Sequence, residues 1–357
     1  MPDLIRHLKS SKSAIEILEI LKKTSPIIAF IPALLIVYFL FPASFEATWK
    51  GRTFYLFFIW LAFLEVILNW EKIQGVKLKK AISTRTVATV VALVLPTTYV
   101  IVATQLGLND AITNWAQYNS VPLAGWMSLS TEYLVFTALF ALVISLSFGI
   151  GHLKDFALST LFLGAIGIIY TIDNFYPGGN FTLFQLPVPI TTQLAANVLN
   201  LMGYTTKMSQ ITDPTYGRVT YLAVRDPRTA SVAGFGIAWP CAGIESLIIY
   251  TVTILIFLKG SNFSWKQRAA YFSIGAIVTY FINVLRIVTI FILGVQYGAD
   301  SQQVNDFHNY YGQLYSITWI VSYPLIIIGS QILWSKIQNH RIANDLQVKT
   351  TRPTVAA

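Results

Sequence analysis

Eight apolar runs, at 25–42, 53–70, 86–105, 132–150, 156–172, 242–258, 269–294 and 313–334, constrain this chain more than any other feature. A helix needs about 20 apolar residues to cross the ~30 Å hydrocarbon core of a bilayer. The runs meet that length or come close to it, the fifth and sixth lying near the lower limit. The 357 residues are 55% apolar and 11% charged, whereas charged residues make up about a quarter of an ordinary soluble domain. A water-soluble globule, a disordered chain and a disulfide scaffold are excluded together. The expected class is an all-α polytopic membrane protein of about eight transmembrane helices.

The net charge of +9 raises the question of a nucleic-acid partner, and the placement of the charges answers it. With both termini in the cytoplasm, 18 of the 25 Lys and Arg fall in cytoplasmic segments, 6 fall outside, and Arg286 lies within a span. This is the positive-inside asymmetry of a membrane protein, and no nucleic-acid partner is implied. The run beginning near Ser25 follows a basic leader without a small-residue cleavage site, so it reads as a retained anchor. The expected organisation is a cytoplasmic segment 1–24, one transmembrane domain 25–335 and a polar, disordered cytoplasmic tail 336–357. Residues 173–240 form an extracytoplasmic insertion.

Within the insertion, Phe181 to Gly203 is moderately apolar but interrupted by Pro187 and Pro189. If it crossed, the basic segments 259–268 and 335–357 would move outside, so it reads as interfacial or re-entrant. Arg218–Val224 and Ser231–Ile237 alternate like strands around Asp226-Pro227 and predict a small β-hairpin leading into the sixth span.

Polar groups in or beside spans are costly and call for an explanation. Trp239-Pro-Cys-Ala-Gly-Ile-Glu-Ser246 places the sole cysteine, Cys241, behind a proline suited to the first helical position. The expectation is that Cys241 occupies the first turn of the sixth span, where free N–H groups and the helix dipole favour a thiolate. Gly243 keeps the adjacent surface low, and Glu245 lies one turn deeper on the same face. A lone cysteine in a membrane helix is equally a small buried hydrophobe. Arg286, in Asn283-Val-Leu-Arg286, falls about 10–15 Å below the outer end of the seventh span. It serves either a wet cavity or a packing salt bridge to Glu245. His308 precedes the eighth span on an outer loop, with Asp306 or Asn309 placed to orient it. Glu65, inside the second span, is a polar packing element or lines a path. There is no CxxC, HExxH, Walker or dinucleotide motif, and no cofactor or metal is expected.

The topology puts Cys241, Arg286 and His308 on the same side of three consecutive spans. A nucleophile, an oxyanion stabiliser and a proton shuttle suffice for acyl transfer. At Cys241-Ala-Gly243, Asn283-Val-Leu-Arg286 and His308 followed by Gly312, the chain resembles the exosortase/archaeosortase family of polytopic membrane cysteine transpeptidases. The likeness covers roughly 130–335, with the catalytic core at about 239–315, and the compact C-terminal motifs lean toward the archaeal branch. Ala242 stands where many members carry Ser or Thr.

The resemblance implies that Cys241 is the nucleophile, His308 the acid and base, and Arg286 the stabiliser of the oxyanion or thiolate. It further implies substrates that are surface proteins ending in a short motif, a membrane span and a basic cluster, with transfer of the new C-terminus to a membrane lipid. Glu245 is expected to pair with Arg286. The alternatives are a membrane cysteine protease that releases the tail by hydrolysis, and a transporter or channel whose path Arg286 and Glu245 line.

Overall fold

The computed structural model describes residues 19–47, 49–73, 84–177, 185–213, 217–259, 261 and 263–350, apart from the side chains of 84–86, 245 and 335–350. Residues 1–18 and 351–357, parts of the two expected cytoplasmic segments, lie outside the described residues. Eleven described helices are used below. They are α1 (Ile31–Leu40), α2 (Thr53–Leu68), α3 (Thr84–Gln105), α4 (Leu108–Tyr118), α5 (Met127–Ser147), α6 (Ala157–Phe175), α7 (Pro187–Leu201), α8 (Ile244–Lys259), α9 (Trp265–Tyr297), α10 (Gln302–Asp306) and α11 (Gly312–Thr350). Among the described residues six helical stretches are long and apolar enough to cross a membrane: Glu19–Leu40, Val87–Gln105, Ala124–Ser147, Ile150–Phe175, Trp265–Tyr297 and Gln302–Trp334. The second and sixth expected spans form the apolar but shorter helices Thr53–Leu68 and Ser246–Lys259.

The N-terminal half packs around aromatic rings. Phe30 meets Phe58, Phe136 and Phe140 edge-on at 5.3, 5.3 and 5.7 Å, the geometry that aromatic quadrupoles favour. Glu65 is almost completely buried, and its carboxylate accepts from the backbone N–H groups of Leu158 and Ser159 and from Ser159 Oγ at 3.1, 3.1 and 2.6 Å. These are the unpaired donors at the start of α6, so Glu65 caps a neighbouring helix and is a packing element.

The C-terminal half is built on α9. Ser264 and Gln267 form a reciprocal capping box at its start. Its 33 residues rise about 50 Å, well beyond the hydrocarbon core. The excess at one end supports the insertion, where Phe291 packs edge-on against Phe235 at 5.1 Å. That insertion is a three-stranded antiparallel meander, β1 (Thr205–Asp213), β2 (Gly217–Arg225) and β3 (Val232–Ile237), in the order β1-β2-β3. The register pairs Thr205 with Arg225 and Thr220 with Ile237.

Two expectations, the two-stranded hairpin and the disordered tail, need correction here, and two helices add detail that the sequence did not give. The hairpin has a third strand, β1, whose polar sequence TTKMSQITD lacks an apolar face and is recruited as an edge. The 181–203 segment forms α7, a 15-residue helix that starts at the proline suited to an N-terminus and packs against α9. Residues 178–184 lie outside the described set. An additional amphipathic helix, α4, exposes Trp115 and Tyr118. The tail is helical, not disordered, as far as Thr350, because no glycine or proline interrupts it between 330 and 350.

At the Cys241 end of the bundle Arg52 reaches Glu132 through two bonds, Nε to Oε1 at 2.8 Å and Nη2 to Oε2 at 2.7 Å, and Tyr55 Oη donates to Oε1 at 2.9 Å. Breaking a buried pair from one side strands the other charge and costs about 3–5 kcal/mol, whereas replacing both partners by apolar groups is close to neutral. Arg52→Met is therefore expected to lower the thermal unfolding midpoint of the detergent-solubilised protein sharply, and Arg52→Met with Glu132→Leu to recover most of that loss.

Candidate active site

The chain reaches Cys241 through a 3-10 turn, Trp239–Ala242, and not through the first turn of α8 as expected. Gly243 explains the difference. Its φ of +90° breaks helical continuity, so α8 begins only at Ile244. A Cβ at 243 would also sit 2.9 Å from Asn283 Cγ and Nδ2, so the glycine lets the buried Asn283 side chain lie against the turn. From there Asn283 Nδ2 donates to the carbonyl of Cys241 at 2.9 Å.

His308 is likewise not on a loop. Ser301 caps α10 through the Val304 N–H, and the helix continues through a five-residue π turn, Phe307–Tyr311, into α11. No glycine or proline interrupts 302–311. π turns displace the helical hydrogen-bond ladder and recur at functional sites. Here Arg286 Nη2 donates to the His308 carbonyl at 2.8 Å. The ring of His308 is held through Nδ1 by Asn309 Oδ1 at 3.2 Å, so Asn309, and not Asp306, is its neighbour. A Cβ at Gly312 would meet Arg286 Nε at 2.9 Å and the Phe307 carbonyl at 2.8 Å, so that glycine makes room for the guanidinium.

One cavity of about 320 Å³ is lined by Cys241, Arg286, His308 and Asn309, with Pro240, Tyr310 and Gln313 beside them. The thiol residue is half-buried. Arg286 Nε is buried and has no hydrogen-bond partner among the described residues. The expected pairing of Glu245 with Arg286 concerns a side chain outside those described. Among the described residues no group of three or more His, Cys, Asp or Glu could hold a metal ion.

The opposite wall is supplied by residues the sequence reading did not single out: Ala43, Glu46, Ala47 and Trp49, from the link between α1 and α2. Trp49 stacks edge-on against Trp239 at 4.7 Å. The Trp239 indole N–H donates to Asp173 Oδ1 at 3.1 Å, while Lys50 Nζ lies 2.7 Å from Asp173 Oδ2 and donates to Asn174 Oδ1 at 2.7 Å. Burial pulls the Lys50 ammonium below the ordinary lysine range, against the opposing effect of Asp173. The available signal was Asp173 itself, a carboxylate at the end of an apolar run.

Fold and cavity together define a polytopic membrane protein with cysteine, arginine and histidine gathered at one end of its bundle. The sequence model of the transmembrane exosortase family matches residues 49–323, and the chain belongs to that family. Its members are cysteine-peptidase-type membrane enzymes. No curated protein and no solved structure gives a significant match.

Gly243 offers a test of the cysteine turn. Gly243→Ala forces a left-handed alanine against Asn283 and is expected to cost about 1–3 kcal/mol. Gly329→Ala, on α11 with no neighbour within 4 Å of the added Cβ, is expected to stabilise by up to ~1 kcal/mol. Thermal unfolding of the two variants side by side checks both.

Proposed function

We propose that this protein is a cysteine transpeptidase that processes the C-terminal sorting signals of surface proteins. The observation that carries the reading is the single cavity shared by the only cysteine, a histidine ring and an arginine whose buried Nε has no described partner. Family membership supports the sorting role. The Cys241 thiolate attacks the scissile carbonyl, and Arg286 stabilises the oxyanion of the tetrahedral intermediate. His308 gives its proton to the departing amine as the C–N bond breaks, leaving a thioester on Cys241. In the second half His308 takes a proton from the acceptor's nucleophilic group. That group attacks the thioester, the C–S bond breaks, and the Cys241 thiolate is restored beside a protonated His308. The acceptor is a membrane lipid, the transfer characteristic of the archaeal branch. The cavity faces the extracytoplasmic side of the cell membrane and both termini are cytoplasmic.

Cys241→Ala is expected to reduce processing of tailed surface proteins by at least about a thousandfold, and Arg286→Met by about a hundred- to a thousandfold, with membrane insertion intact. Immunoblots of the mature surface protein report both, and unchanged processing in Cys241→Ala refutes the nucleophile. Mass spectrometry of the mature C-terminus separates the acceptors: an added lipid mass means transfer, a free carboxylate means hydrolysis.

Orientation is tested independently. A membrane-impermeant maleimide added to intact cells is expected to label Cys241, the chain's only thiol. Labelling that requires permeabilisation overturns the topology.

A further inference from the structure

The catalytic cavity is the first of three neighbouring spaces that share lining residues along α11. Arg286 and Gln313 line both that cavity and a narrow pocket of about 40 Å³ beneath it, and Ile320 lines both the narrow pocket and a groove of about 600 Å³ further along. The three spaces follow one another along α11 in the order Gln313, Ile317, Ile320, Pro324, Ile328. That spacing of three and four residues marks a single helix face. Phe57, Trp60 and Leu64 give the matching stripe on α2, and Ile249, Thr253 and Ile256 the one on α8. The groove therefore has helical walls and opens sideways, with Val321 60% exposed on its rim.

We propose that this groove seats the apolar helix that follows the cleavage motif in the substrate protein, delivering the motif to Cys241 above it. The assignment rests on the transpeptidase reading and names the surface of that site on which the substrate's membrane segment docks. Two observations favour a helix over a lipid tail. Thr253 and Ser261 line the groove, and small hydroxyl residues mark helix–helix contacts in membranes. Pro324 removes the N–H that would bond the Ile320 carbonyl, a defect that a neighbouring helix can satisfy and hydrocarbon cannot.

The test uses a reporter, a soluble domain carrying the C-terminal tail of a surface protein from the same genome. Wild type must process it and Cys241→Ala must not. Failure of that step condemns the transpeptidase reading, and the groove assignment with it. In the Cys241→Ala background a photoreactive benzophenone residue is then placed at Leu64 or Val321 in the groove, or at Ile277, which is 68% exposed on α9. Adducts with the apolar segment of the reporter are expected several-fold more often at the groove positions than at Ile277. Equal yields, or adducts with lipid alone, while wild type still processes the reporter, overturn the groove and leave the chemistry standing. Val321→Trp, which narrows the rim, is expected to reduce processing about a hundredfold by misplacing the motif, with maleimide labelling of Cys241 unchanged. Undiminished processing in that variant also counts against the groove.

Discussion

The carboxylate of Asp173 fixes the relation between two stretches of chain that share no sequence neighbourhood. One oxygen holds the Lys50 ammonium at 2.7 Å and the other accepts the Trp239 indole N–H at 3.1 Å. Lys50 thereby places the segment that walls one side of the cavity, and Trp239 places the turn that presents Cys241. Burying an ammonium is costly unless it is paired and hydrogen-bonded, and Lys50 meets both conditions through Asp173 and Asn174. Lys50 also has a φ of 50°, a left-handed conformation that a non-glycine residue holds only where its surroundings enforce it. The strain and the desolvation are concentrated at a point whose structural product is the alignment of the cavity walls.

A second constraint comes from α9. Asn283 and Arg286, three residues apart on one helix face, donate to the carbonyls of Cys241 and His308 respectively. Both bonds end on backbone, so they fix the paths of the two segments without engaging the thiol or the imidazole. Gly243 and Gly312 are the counterparts, since an added methyl at either would strike the side chain that makes the bond. A site held this way is organised before any substrate arrives, and preorganisation of the reacting groups is where much of a transfer enzyme's rate advantage arises.

Most of the architecture was legible because a bilayer imposes a simple rule: a long apolar run becomes a helix, since nothing else satisfies its backbone. The small motifs around Cys241, Arg286 and His308 were legible because a polar residue is conspicuous against an apolar background. The missed features depend on pairings across the chain. β1 has no apolar alternation to announce it and exists by pairing with β2. The 3-10 turn at Cys241 reflects Gly243 lying against Asn283, forty residues away in sequence. The α1–α2 link became a wall of the cavity through Lys50–Asp173 and Arg52–Glu132, and the sequence shows such charges without showing who meets whom. Within those limits Asp173 and Glu132 deserved the weight that the reading gave to Glu65 and Glu245.

The two arginines at this end of the bundle show how structure separates scaffold from site where residue type does not. Arg52 is gripped by both oxygens of Glu132 and donates to Ser44 as well. Its charge is neutralised in place, and its contribution is a fixed backbone between α1 and α2. Arg286 gives its one described hydrogen bond to a neutral carbonyl, and its buried Nε has no described partner. A guanidinium has five donors, and one without an ion-pair partner attracts developing negative charge more strongly than a neutralised one. A salt bridge like that of Arg52 would cancel this field. Among the described residues Arg286 has no such bridge, and under the proposed function its guanidinium is the group that meets the oxyanion at Cys241.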